Sequence, residues 1–251
     1  MKKILMFLVA LLLSYATYAG PPMTGNYSIP ADFTFRQAID TLNASGVGTG
    51  GVTFNVQIGY TETLVGGPLR LTATGTVSNR IIFRKSGDGV NPKITAYTGT
   101  KTPGSPNQDG IWAFIGSDYV TIDGIDLYDP NTTNPATMEY GFALFKASAS
   151  NGCQNDSIKN CFITLSRVNN ASGNTGTVGP SFEGSKGIMV INATDIADTI
   201  ALTINSTSGT NSYNIFITNT IQMRTKGQNH GHSTGAYCQG KSKRVKSFRF
   251  N

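Results

Sequence analysis

Three short segments of this 251-residue chain repeat one pattern: Ile122-Asp123-Gly124-Ile125-Asp126-Leu127, Ile158-Lys159-Asn160-Cys161-Phe162-Ile163 and Ile217-Thr218-Asn219-Thr220-Ile221. Each has an aliphatic residue, one polar residue, a Gly or Asn, and then a second apolar stretch. Gly and Asn take up left-handed backbone most readily, so each unit reads as a strand, a one-residue corner and another strand. When such units coil, like side chains stack above like, and the aliphatic column becomes the core. The expected fold is all-β, a right-handed parallel β-helix in which every rung pairs with its neighbours. Spacings of 36 and 59 residues between Ile122, Ile158 and Ile217 exceed one rung. Asp129 to Met138 and Asn169 to Gly187, rich in Asn, Gly, Pro and Thr, are the expected protruding loops.

The rest of the chain agrees with this class. Val52, Phe54, Val56 and Ile58 alternate with Thr53, Asn55 and Gln57, the period of a half-buried strand. Further strands are expected at Leu69 to Ala73, Arg80 to Arg84, Lys93 to Tyr97, Ile111 to Ile115, Tyr119 to Leu127, Tyr140 to Phe145, Ser157 to Leu165, Gly187 to Asn192, Ala201 to Ile204 and Tyr213 to Ile221. A β-sandwich also has many short strands, but two-residue hairpin signals of the Asn-Gly or Asp-Gly kind are scarce: Asp123-Gly124 lies inside a repeat and Asp88-Gly89 inside a loop. With 29 Gly and 14% charged residues the chain is not a helical bundle or coiled coil, and 39% hydrophobic residues exclude a polar linker.

One helix is predicted. Thr34-Phe35-Arg36-Gln37 is a capping box, and Phe35, Ala38, Ile39 and Leu42 form a single apolar stripe ended by Gly46. The expectation is a cap over the N-terminal end of the solenoid, so that residues 20–48 are an N-terminal strand and capping helix and residues 49–223 are rungs.

Lys2 and Lys3, the apolar run Ile4 to Leu13 and Thr17-Tyr18-Ala19 read as a secretory signal over residues 1–19, cleaved after Ala19. The run is about half of the ~20 residues a membrane span needs, so no membrane span is expected. The mature protein is expected to be secreted or on the outer cell surface. The formal charge of +6 does not describe a binding face. From residue 224 onward Arg224, Lys226, Lys241, Lys243, Arg244, Lys246 and Arg249 meet no acid, whereas the body is mildly acidic; no nucleic-acid partner is expected. Residues 224–251 also lose the apolar alternation and are read as a disordered or aberrant tail. Cys153, Cys161 and Cys238 have no zinc spacing; Cys161 is expected to pack as a small hydrophobe, with a Cys153 to Cys161 bridge the minority reading.

The segments Gly25-Asn26-Tyr27-Ser28-Ile29, Ala31-Asp32-Phe33 through Ala38-Ile39 to Leu42-Asn43, and Gly51-Val52-Thr53-Phe54-Asn55-Val56 to Gly59-Tyr60-Thr61-Glu62 resemble the N-terminal end of large secreted Bacteroidota proteins with a pectate-lyase-like right-handed β-helix. Tyr119-Val120-Thr121-Ile122-Asp123-Gly124-Ile125 is similar to their rung signature. The resemblance covers about residues 24–222. It implies fold and export, by a type IX route, more than activity, and it implies that C-terminal domains are missing here.

Chemistry is sparser. His230-Gly231-His232-Ser233-Thr234-Gly235 resembles a polygalacturonase motif, but no acid follows Asp198 and the match falls in the anomalous tail. Asp123, Asp126 and Asp129 are the candidate Ca²⁺ ligands, three of the 6 to 8 oxygens such an ion takes; the alternative is a solvated acidic turn, and otherwise no cofactor is expected. Trp112, Tyr119 and Tyr128 are candidate glycan contacts or, equally, rung fillers. The reading is a noncatalytic exported β-helix segment for adhesion or for binding a polysaccharide or surface glycan; the rival is a truncated polysaccharide lyase, glycoside hydrolase or esterase of the same fold.

Overall fold

The computed structural model describes residues 20–101, 108–133, 135–167, 185–197 and 200–224, with the backbone of Phe248–Arg249. The signal segment, most of the loop from Asn169, the His230 motif, Cys238 and the tail other than Arg224 and Phe248–Arg249 lie outside the described residues.

Strand β1 (Met23–Ile29) leads into helix α1 (Phe35–Ser45), the single α-helix among the described residues. The capping box forms as its sequence predicts: the Gln37 N–H donates to Thr34 Oγ1 and the Thr34 N–H donates to Gln37 Oε1. Phe35, Ala38, Ile39 and Leu42 are buried, and Gly46 ends the helix at φ 71°, its N–H donating to the Leu42 carbonyl.

The remaining strands are β2 (Val47–Gln57), β3 (Thr61–Thr63), β4 (Leu69–Leu71), β5 (Ile81–Ser86), β6 (Lys93–Thr95), β7 (Gly110–Ile115), β8 (Val120–Asp123), β9 (Asp126–Tyr128), β10 (Tyr140–Phe145), β11 (Ser157–Lys159), β12 (Phe162–Ser166), β13 (Lys186–Val190), β14 (Ile215–Ile217), β15 (Thr220–Arg224) and β16 (Phe248–Arg249). They form three sheets, ordered β1-β2-β5-β8-β11-β14-β16, β3-β6-β9-β12-β15 and β4-β7-β10-β13. The chain is therefore mostly β with parallel sheets, and from β2 onward it visits the first, second and third sheets in turn. Parallel neighbours need a long crossover, which here is made of the strands of the other two sheets. The pair β14–β16 is antiparallel, so Phe248–Arg249 run back along β14.

In-register columns build the core. In the first sheet Tyr27, Phe54, Phe83, Ile122, Ile158 and Phe216 are aligned partners, with the Phe54 and Phe83 rings stacked at 4.5 Å. In the second sheet Ile94, Leu127, Ile163 and Ile221 align, and in the third Leu69, Trp112, Phe142 and Ile188. Such columns favour like residues, because each side chain packs on its counterpart one layer away.

Two left-handed columns mark the corners. Gly124, Asn160 and Thr218 (φ 69°, 57° and 56°) turn the chain from the first sheet to the second, and Tyr119, Asn155 and Tyr213 (φ 57°, 59° and 60°) precede β8, β11 and β14. The long stretches expected at Tyr119 to Leu127 and Ser157 to Leu165 thus each divide into two strands at the predicted corner. The third repeat is shifted by one residue. Phe216, not Ile217, aligns with Ile158, and Thr218 rather than Asn219 is the corner. Asn219 is occupied elsewhere: it accepts from the Cys161 N–H and donates to the Ile158 carbonyl, bonding one layer to the next. Aliphatic residues at both 215 and 217 disguise that register. Asn211 and Asn214 make the same kind of inter-layer bond, to Cys153 N and Leu144 O and to Asp156 N and Cys153 O respectively. Ala201 to Ile204 forms no strand; a 3₁₀ turn at Thr207–Gly209 follows instead.

Candidate functional site

The first two connections from the second sheet to the third, β3 to β4 and β6 to β7, line a cleft of about 590 Å³. Leu64 to Pro68, which joins β3 to β4, makes one wall. Tyr97, Thr98, Thr100, Lys101, Gln108 and Asp109, from the connection between β6 and β7, make the other.

The first wall is fixed by α1. Glu62 lies in the second sheet's core column, opposite Ile94, a position that would leave a carboxylate buried without partners. Its oxygens instead accept the N–H groups of Phe35 (2.7 Å) and Arg36 (3.2 Å) at the helix N-terminus, where a negative charge is favoured, and the Tyr60 hydroxyl (3.1 Å). Burial and the Glu62 charge push the Tyr60 phenol up to about 12. With its backbone so anchored, Arg36 donates to the carbonyls of Gly67 (2.6 Å) and Pro68 (2.9 Å). The Gly66-Gly67 bend has φ values of 76° and 130°, a shape that only glycine adopts without strain at both residues.

The second wall is organised by Asp109. Its Oδ1 accepts from the Tyr97 hydroxyl (2.7 Å), and its Oδ2 accepts the N–H groups of Thr100 (2.6 Å) and Lys101 (2.5 Å). Behind it stands Glu139: the Asp109 N–H donates to Glu139 Oε2 (2.8 Å), and the Glu139 N–H donates to the Asp109 carbonyl (2.9 Å). Asp109 and Glu139 are 4% and 0% exposed. Burial, and then the Asp109 charge, raise the Glu139 carboxyl to about 8, while burial and Asp109 hold the Tyr97 phenol protonated well above its ordinary range.

The residues singled out from sequence lie elsewhere and are dispersed. Trp112 is fully buried, packed edge-on against Phe35, Phe83 and Phe114, so it is a core filler and not a glycan contact. Tyr119 is half-buried at its left-handed corner beneath the Arg80 guanidinium (5.6 Å). Tyr128 is half-buried with Lys93 (5.3 Å) and Arg224 (5.0 Å) against its ring, which leaves little open face for a sugar. Asp123 pairs with Lys159 (3.0 Å) and accepts from Asn160 Nδ2 (2.7 Å). Asp126 accepts from Asn91 Nδ2 (2.7 Å) and the Phe162 N–H (2.9 Å). Asp129, expected in a protruding loop, is buried and accepts from the N–H groups of Asn131 and Met138. Burial raises the Asp126 and Asp129 carboxyls above the usual range. Asp123 and Asp126 thus bond neighbouring layers and Asp129 its own loop, and no cluster of three His, Cys, Asp or Glu side chains that can hold a metal occurs among the described residues. Cys153 and Cys161 are free, buried thiols that donate to the carbonyls of Phe145 and Lys159; burial pushes the Cys161 thiol up to about 12.

Tyr97, Lys101, Asp109 and Glu139 were missed in the sequence, although a signal was present. Asp109-Gly110-Ile111-Trp112-Ala113-Phe114-Ile115 and Glu139-Tyr140-Gly141-Phe142-Ala143-Leu144-Phe145 align residue for residue, an acid ahead of each fully buried strand. No family model, no curated protein and no solved structure matches the chain. Among the described residues no helix is long and apolar enough to cross a membrane.

Proposed function

We propose that the chain is an exported segment of a right-handed parallel β-helix that binds a polysaccharide or surface glycan, or serves adhesion, without transforming its ligand. The strand order supports the helix reading, since each sheet gains one strand per circuit of three. Right-handedness follows from the strong preference of parallel crossovers for that hand, about 98%. Export rests on the signal-like residues 1–19, and the kinship to secreted Bacteroidota proteins on the N-terminal resemblance.

The observation that carries the binding reading is the cleft itself: an open, mixed polar and apolar trough with the Gly66-Gly67 bend on one side and Tyr97, Thr100 and Lys101 on the other. Such a surface offers hydroxyl, ammonium and ring contacts of the kind sugars use. Asp109 does not act as a catalytic base in this reading, because its oxygens are already engaged by three donors of its own loop. A second reading, a carbohydrate-active enzyme, is favoured by one feature: Glu139 is a carboxyl raised toward the range of a general acid, one layer from a second acid.

Incubation of the purified chain with pectin, polygalacturonate and xylan, with and without Ca²⁺, separates the two. The binding reading expects retention without new reducing ends or unsaturated product. Product above a heat-inactivated control selects the enzyme.

A further inference from the structure

We propose that Glu139 is a proton-operated latch for the cleft: while neutral it leaves Asp109 free to hold the Tyr97 to Lys101 wall, and once ionised it loosens that wall. What this does to ligand binding rests on the glycan reading above; the movement of the wall does not.

The geometry treats the two acids differently. Asp109 receives three donors, the Tyr97 hydroxyl and the Thr100 and Lys101 N–H groups. Glu139 receives one N–H on Oε2, and its buried Oε1 has no hydrogen-bond partner among the described residues, which favours the neutral form. The two are tied by a pair of bonds between consecutive layers, the Glu139 N–H to the Asp109 carbonyl and the Asp109 N–H to Glu139 Oε2, so a charge placed on Glu139 faces the Asp109 carboxylate in a buried setting. From the neighbouring elements, Tyr97 beyond β6 and Tyr140 in β10 add no positive charge, and Lys186 at the start of β13 favours ionisation but is outweighed by burial and by Asp109.

The sign follows. Glu139 stays protonated through neutral pH and loses its proton as the pH rises through about 8. Above that point two adjacent buried carboxylates repel. The less costly relief is to expose them by opening the loop that Asp109 holds, because that loop lies at the cleft surface while the β7 and β10 strands are buried on both faces. Between pH 6 and pH 9 the cleft therefore passes from a set to a loosened second wall.

Amide hydrogen exchange at Thr100 and Lys101, corrected for the intrinsic pH dependence, tests the latch on the whole chain without any ligand. Protection in the wild type is expected to fall about tenfold or more between pH 6 and pH 9.5, one decade per unit of coupled pKa shift. In Glu139→Gln it should stay flat, since the amide still accepts the Asp109 N–H and does not ionise. A flat wild-type profile, or an equal fall in Glu139→Gln, overturns the proposal. Should that variant not fold, the ¹³C shift of the Glu139 carboxyl in the wild type decides: a midpoint near 8 supports the latch, and one in the ordinary carboxylate range overturns it. Retention on an immobilised glycan that weakens over the same interval supports both proposals. A wall that opens in a chain retained by no glycan at any pH sinks the glycan reading and leaves the latch standing.

Discussion

The two ends of the sheet stack solve the same problem differently. At the first end β1 pairs with β2, while α1 packs on β4 and bonds Glu62 of β3, so the cover is made by bonding as well as burial. Asn43 behaves as a substitute strand for β4: its Nδ2 donates to the Arg70 carbonyl (2.6 Å) and its Oδ1 accepts the N–H groups of Thr72 (2.8 Å) and Ala73 (3.0 Å). At the other end, among the described residues, β15 has a neighbour on one side alone. The second-sheet core column shows the consequence, for Ile163 is fully buried while its aligned partner Ile221 is 39% exposed. An open sheet edge and an apolar column are liabilities wherever they occur, and a helix with one well-placed amide removes both.

The largest effect that probes this contrast is Ile39→Asp. A charge beneath the cap has no partner, so the variant is expected to lose ~3 kcal/mol or more, whereas Ile221→Asp at the open end should cost under about 1 kcal/mol. Urea unfolding of both reports the difference, and equal losses would erase the distinction between the ends. Next comes truncation within one column: Ile163→Ala should cost about 2 to 5 kcal/mol and Ile221→Ala much less, because an exposed site leaves no sealed cavity. Smaller again is Asn43→Ala, which leaves one backbone group of β4 and two just after it without their partner, for about 1 to 3 kcal/mol. Unchanged melting in that variant would mean that water serves the β4 edge as well as the amide does.

The same contrast governs what could be read from sequence. The capping box and the Phe35, Ala38, Ile39, Leu42 stripe were legible because a helix is specified by neighbours three and four residues apart. The Gly124 and Asn160 corners were legible because left-handed backbone restricts residue type. The shift at Ile217 was not, since register depends on which residue meets Ile158 across 58 positions, a partnership made by Asn219 and its inter-layer bonds. The cleft was least visible of all. Asp109 and Glu139 are 30 residues apart and meet because successive layers stack, and Glu62 reaches its helix N–H partners across 27 and 26 residues. Conversely, Asp123, Asp126 and Asp129 looked like a site because they are close in sequence, yet alternation and a corner send them to different partners.

Affinity electrophoresis through gels containing pectin, polygalacturonate or xylan tests the central claim most directly, with the wild type run beside Lys101→Glu. Lys101 lines the cleft and bonds Asp109 through its backbone N–H, so the substitution reverses a charge at the cleft while keeping the group that makes that bond. The account predicts that at least one polysaccharide retards the wild type and that Lys101→Glu runs about as it does in a gel without polysaccharide. Equal retardation of the two proteins, or none of either, would contradict a glycan-binding cleft.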